Sequence, residues 1–175
     1  MKMKFRLRGI GRAGSMAALT AALFASALAP AGPWAPKAAA AETETVFDEG
    51  LHPLYADYSW ADVDTSYAGA ARSGALSIRM EPDYGRAMYL YRDRILNAAD
   101  YDRFEMWVRS EGSGGQRVKL VFQAGGVPLT EWKLHELLPG GIPAGEWAHI
   151  AIPAALISPE HGLIDTIILS DESGA

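Results

Sequence analysis

Apolar and polar residues alternate with period two along most of the chain after residue 42, and that period predicts strands rather than helices. In residues 75–80, Leu76, Ile78 and Met80 alternate with Ser77 and Arg79. Residues 87–91 place Met88 and Leu90 on one face and Tyr89 and Tyr91 on the other. The clearest pattern spans 102–110, where Phe104, Met106 and Val108 oppose Glu105, Trp107 and Arg109. Residues 117–124 set Val118, Leu120 and Phe122 against Lys119, Val121 and Gln123. Shorter candidates lie at 45–48, 58–62, 131–137, 146–152 and 165–170, with a helical turn at 153–157. Turn-forming clusters such as Ser73-Gly74, Gly112-Ser113-Gly114-Gly115, Gly125-Gly126 and Pro139-Gly140-Gly141 separate them. About nine short strands at this spacing, without a long amphipathic helix, predict an all-β fold: an antiparallel β-sandwich or jelly roll.

The first 41 residues follow a different pattern. Lys2, Lys4, Arg6, Arg8 and Arg12 make a cationic start, residues 16–29 are a nearly unbroken apolar run, and Ala38 to Ala41 supply small residues. That is the layout of a secretory signal peptide, expected over 1–41 with cleavage after Ala41. A run of fourteen residues falls short of the roughly 20 that a membrane span needs. The expected mature domain is 42–175, secreted and extracellular, and long enough to bury roughly two-thirds of its unfolded surface.

Charge sharpens this picture. All 21 acidic residues follow residue 41, whereas six of the 16 Lys and Arg precede it, so residues 42–175 carry 10 cations, 21 anions and a net charge of −11. Such a surface argues against nucleic acid and anionic membrane as partners. The chain has no Cys, so packing rather than disulfides must stabilise the domain outside the cell.

A search for catalytic chemistry finds little. There is no Cys nucleophile and no G-x-S-x-G elbow. His52, His135, His149 and His161 are too dispersed for a zinc motif. Two suitably spaced carboxylates suffice for glycoside hydrolysis, but 21 acids guarantee such pairs and single none out. No catalytic residue is assigned, and the domain is expected to be noncatalytic.

Binding chemistry is better represented. A strand buried on one face presents a solvated second face that should be polar. Here the second faces carry Trp107 between Glu105 and Arg109, Tyr89 and Tyr91 beside Arg92, and Lys119 with Gln123. Sugars lay the apolar C–H face of a pyranose ring on an aromatic, while charged and amide groups hold the hydroxyls. Trp107, Tyr89, Tyr91, Arg109, Glu105 and Gln123 on one sheet therefore read as a carbohydrate platform. The same rings also fit packing beneath a crossing loop. Within 55–69, Trp60 reads as core, Tyr55 and Tyr58 as rim, and Asp62 and Asp64 as solvated loop residues; Trp147 reads as structural and Trp132 as either.

The segments "VFDEGLHPLYADYSWADV", "ARSGALSIRM", "YDRFEMWVRSEGSGGQRVKLVF", "IPAGEWAHIAIP" and "IDTIILSDESGA", taken in order, resemble the galactose-binding-like β-sandwich of secreted bacterial proteins. That domain is often a carbohydrate-binding module beside a glycoside hydrolase, and the likeness spans residues 45–175. It implies a polysaccharide or glycan partner and an appended catalytic domain, with a structural spacer or protein-interaction sandwich as the alternative function and a glycoside-active enzyme as a weaker one. It also implies a further strand after the "SGA" turn, beyond Ala175. Domains of this type often hold a structural calcium, with Asp48 placed where a first ligand would lie and a last-strand aspartate as its partner; no other cofactor is implied.

Overall fold

The computed structural model describes residues 6–9, as backbone, together with 43–158 and 162–172. It is mostly antiparallel β-sheet. Eleven strands occur among the described residues: β1 (Arg6–Gly9), β2 (Thr43–Thr45), β3 (Tyr55–Asp57), β4 (Asp62–Tyr67), β5 (Ser77–Glu81), β6 (Ala87–Asn97), β7 (Tyr101–Val108), β8 (Val118–Ala124), β9 (Val127–Lys133), β10 (Ala148–Pro153) and β11 (Leu163–Asp171). Two single-turn helices, α1 (Leu134–Leu137) and α2 (Ala154–Ile157), join them. The strands form a four-stranded sheet in the order β10-β7-β1-β2, a five-stranded sheet in the order β3-β6-β11-β8-β9, and the hairpin β4-β5.

The period-two pattern maps directly onto the core. Phe104, Met106 and Val108 of β7 and Ile150 and Ile152 of β10 project from the four-stranded sheet into the same cluster as Met88 and Leu90 of β6, Leu120 and Phe122 of β8, and Ile167 and Leu169 of β11. The hairpin adds Ile78 and Met80. The Phe104 and Phe122 rings meet edge to face at 5.0 Å and 84°, a favoured aromatic geometry. The arrangement is consistent with an all-β sandwich. Strand β11, central in its sheet, is covered on both faces: Ile164 to Leu169 are all buried. That explains why its sequence reads as a nearly continuous apolar run.

The structure departs from the sequence reading in several places. Tyr55 is core, 7% exposed, and Trp60 is open to solvent at 50%, the reverse of their expected places. Tyr55 is buried because its hydroxyl donates to Glu44 at 2.8 Å inside the fold. Asp62 and Asp64 belong to β4 rather than to a loop. Residues 131–137, expected as one strand, split into the end of β9 and α1, where Leu134 turns into the core. Trp132 packs against the core, and Trp147 is half-buried between strands.

The expected leader falls largely outside the described residues. Its described stretch, Arg6–Gly9, pairs with both β2 and β7, an element that the reading of 1–41 as lying outside the fold does not contain. Strands β2 and β7 offer facing rows of backbone donors and acceptors, and an extended segment satisfies both. The expected strand beyond Ala175 also lies outside the described residues, as does His161. Among the described residues no helix is long and apolar enough to cross a membrane.

Candidate functional site

The outer face of the five-stranded sheet follows from its register. One row runs Ala56, Tyr91, Thr166, Gln123, Pro128; the next Tyr89, Ile168, Val121, Glu131; the third Ala87, Ser170, Lys119, Lys133. Alternation thus brings Tyr89, Tyr91 and Gln123 together, as the sequence suggests. Ala87, Val121 and Ile168 are buried and form a small apolar floor against which Tyr89 packs.

Beyond β3 the chain continues along the β6 edge of this sheet in the same register. Tyr58 and Trp60 donate their amides to the Tyr89 and Ala87 carbonyls at 2.9 and 3.0 Å. Their side chains lean over β6 in two tilted pairs, Tyr58 with Tyr91 at 6.1 Å and Trp60 with Tyr89 at 5.9 Å between ring centres. The Trp60 ring is fixed: its indole Nε1 donates to the Gly85 carbonyl at 3.0 Å, and Arg86 Nη1 donates to the Trp60 carbonyl at 3.2 Å. Gly85 adopts φ +75°, which a residue with a Cβ reaches only with strain, and the turn it closes presents Tyr84. Tyr58, Trp60 and Tyr84 are 64%, 50% and 71% exposed.

A shallow groove of about 590 Å³ runs from Trp60 and Tyr84 across the floor to Lys119, Gln123 and Glu131. Its polar rim mixes donors with acceptors. Lys119 Nζ lies 3.3 Å from Glu131 and 3.8 Å from Glu172. Glu172 lines the same rim, with Oε1 on the Lys119 side. Four strand-to-strand steps make the face about 19 Å wide, which suits several rings in a row rather than a single one.

The other three sequence candidates lie on the opposite sheet, so the six do not form one platform. Sheet membership depends on distant pairing that local alternation does not encode. Glu105 is only 8% exposed and binds Arg103 Nε at 2.6 Å. Trp107 stacks on His149 with ring centres 4.5 Å apart, and the Arg72 guanidinium lies 5.2 Å from its centre. Those neighbours occupy ring surface that a flat ligand would need. Arg109, just past β7, lines a separate cavity. Asp48 is exposed in a turn after β2, and no three His, Asp or Glu side chains among the described residues gather as a metal site.

Sequence reasoning missed Trp60 and Tyr84 as surface groups. The residues Pro82-Asp83-Tyr84-Gly85 carry a turn signal of their own, but nothing local shows that the turn abuts the sheet through Trp60. No family model matches the chain, and no curated protein is significantly similar to it.

Proposed function

We propose that the chain is a secreted, noncatalytic carbohydrate-binding module of galactose-binding-like sandwich type, which lays a polysaccharide along the outer face of the five-stranded sheet. The observation that carries this reading is the Trp60 ring, held by Gly85 and seated over Tyr89, with Tyr58 over Tyr91, beside an apolar floor and a rim of paired charges. The rings take the C–H faces of the sugar, and Lys119, Gln123, Glu131 and Glu172 hold its hydroxyls. Open aromatic surface that is already ordered costs little conformational entropy on binding. A module of this kind would tether an appended catalytic domain to its polymer and raise the local concentration of that domain. The acidic surface and the apolar leader support export and a neutral ligand.

The test is retention of the chain on insoluble cellulose, xylan, chitin and mannan. One polymer is expected to retain the wild type. Trp60→Ala is expected to weaken retention about 30-fold or more, because truncating a central tryptophan anchor costs about 2 kcal/mol or more. Trp107→Ala is expected to leave retention within about twofold. Retention by no polymer, or loss through Trp107 rather than Trp60, would replace the groove reading with that of a structural spacer.

A further inference from the structure

The four-stranded sheet holds a place for one strand that export would remove. Among the described residues β2 pairs with β1 alone. Strand β1 meets β2 through Arg6↔Thr45, Leu7↔Glu44 and Arg8↔Thr43, and β7 through Arg8↔Arg103 and Gly9↔Tyr101, antiparallel to both. Cleavage after Ala41 takes β1 away. The main-chain donors and acceptors of Thr43–Thr45 and Tyr101–Arg103 then face each other across about 9.5 Å, two strand spacings.

The walls of this slot do not depend on the leader for their position. Glu44, in the middle of β2, accepts from Arg92 at 2.6 and 2.9 Å and from the Tyr55 hydroxyl at 2.8 Å, both from the five-stranded sheet. Its carboxylate also accepts from the hydroxyl of Tyr101, the first residue of β7, at 3.2 Å. One side chain thus ties the two walls together beneath the slot. Just past β2, Val46 and Phe47 are 0% and 2% exposed and anchor the strand in the core. Removal of β1 therefore opens the slot and leaves two rows of unpaired backbone groups, a template for another chain.

What fits there is narrowly defined. The occupant needs both of its own edges free, so it is an extended terminus or linker rather than a strand already in a sheet. Main-chain bonds supply affinity without reading sequence, which leaves selection to charge. Residues 42–175 carry 10 cations and 21 anions, and the segment seated in the slot reads Arg-Leu-Arg-Gly. We infer that the domain, once its leader is removed on export, binds an extended basic segment of a partner polypeptide by strand addition between β2 and β7. The inference rests on the export reading above. Before cleavage the leader plugs the site.

The experiment titrates the full chain, before and after cleavage by signal peptidase and removal of the freed leader, with a fluorescent peptide of residues 4–13, KFRLRGIGRA. One control peptide carries Leu7→Pro, and a second carries Arg6→Glu with Arg8→Glu. The cleaved domain is expected to bind the first peptide, and the uncleaved chain to bind it about tenfold or more weakly because β1 already fills the slot. The proline peptide, short of a strand N–H, and the charge-reversed peptide at low salt are each expected to bind about tenfold or more weakly. Hydrogen exchange at Thr43–Thr45 and Tyr101–Arg103 should quicken on cleavage and slow again with peptide. Should circular dichroism show that the cleaved domain unfolds, Leu7→Pro in the uncleaved chain opens the slot and gives the same readout. Retention on polysaccharide is expected to be unchanged at saturating peptide, so the groove and the slot fail separately. No peptide binding to either opened form, equal binding of the proline peptide, or a chain that signal peptidase does not cut would overturn the inference.

Discussion

Phe122→Ala is expected to cost about 3–5 kcal/mol of folding stability. Phe122 is 1% exposed in the middle of β8, and its ring meets Phe104 of the opposite sheet edge to face. Truncation removes the hydrophobic transfer energy of the ring and about 0.5–1.5 kcal/mol of aromatic pairing. It also leaves a void that strands on both sides are too constrained to close. Domains of this size are stable by about 5–15 kcal/mol, so the variant should lose about a fifth or more of its margin. In urea, with a slope of about 1–3 kcal/mol per molar, the midpoint should fall by at least about 1 M. A shift below about 0.3 M would mean that the two sheets do not share this core.

The second large effect concerns Glu44, which joins the two sheets through polar contacts. Its carboxylate accepts from Arg92 Nε at 2.6 Å and Nη2 at 2.9 Å, from the Tyr55 hydroxyl at 2.8 Å and from the Tyr101 hydroxyl at 3.2 Å. The Arg92 and Glu44 side chains are 11% and 13% exposed. Glu44→Gln removes the charge and leaves Arg92 mostly buried without its counter-ion, at an expected cost of about 2–3 kcal/mol at pH 7, less than for a fully buried pair.

The same contacts set a pH dependence. Burial desolvates Glu44 and acts to raise its pKa, but the bonds from Arg92, Tyr55 and Tyr101 outweigh it and hold the carboxyl below its ordinary value of 4.5. A folded-state pKa below the unfolded one stabilises the protein above pH 4.5, and that stability is lost as pH falls through the folded value. Wild type should therefore show an acid limb in thermal melts below pH 4.5. Glu44→Gln should start from a lower melting temperature at pH 7 and show a shallower limb. An unchanged limb would place the acid sensitivity elsewhere.

Much of the core was legible because period two fixes which residues share a face. Phe104, Met106 and Val108, like Val118, Leu120 and Phe122, could not point outward without exposing six large side chains. Alternation does not say which outward faces meet. Tyr89 and Gln123 come together only because β11 lies between β6 and β8, whereas Trp107 belongs to the other sheet. Trp60 was misplaced for a related reason. A tryptophan in a strand-like run suggests burial, but this one lies just past β3 on the outer edge beside β6, held by Gly85 from 25 residues away. The α1 turn was hidden because Trp132 and Leu134 share one face of a strand, and a single helical turn is too short to show its own period.

The proposed seat of the glycan is the outer face of the five-stranded sheet. Its most direct test is an amide and indole chemical-shift map of the isotope-labelled chain, titrated with a soluble oligosaccharide of the polymer that retains it. The largest shifts are expected on the Trp60 indole N–H and on the amides of Tyr89, Lys119, Gln123 and Ile168, with Trp107 and His149 unshifted. Shifts centred on Trp107 and His149, or none at saturating oligosaccharide, would contradict it.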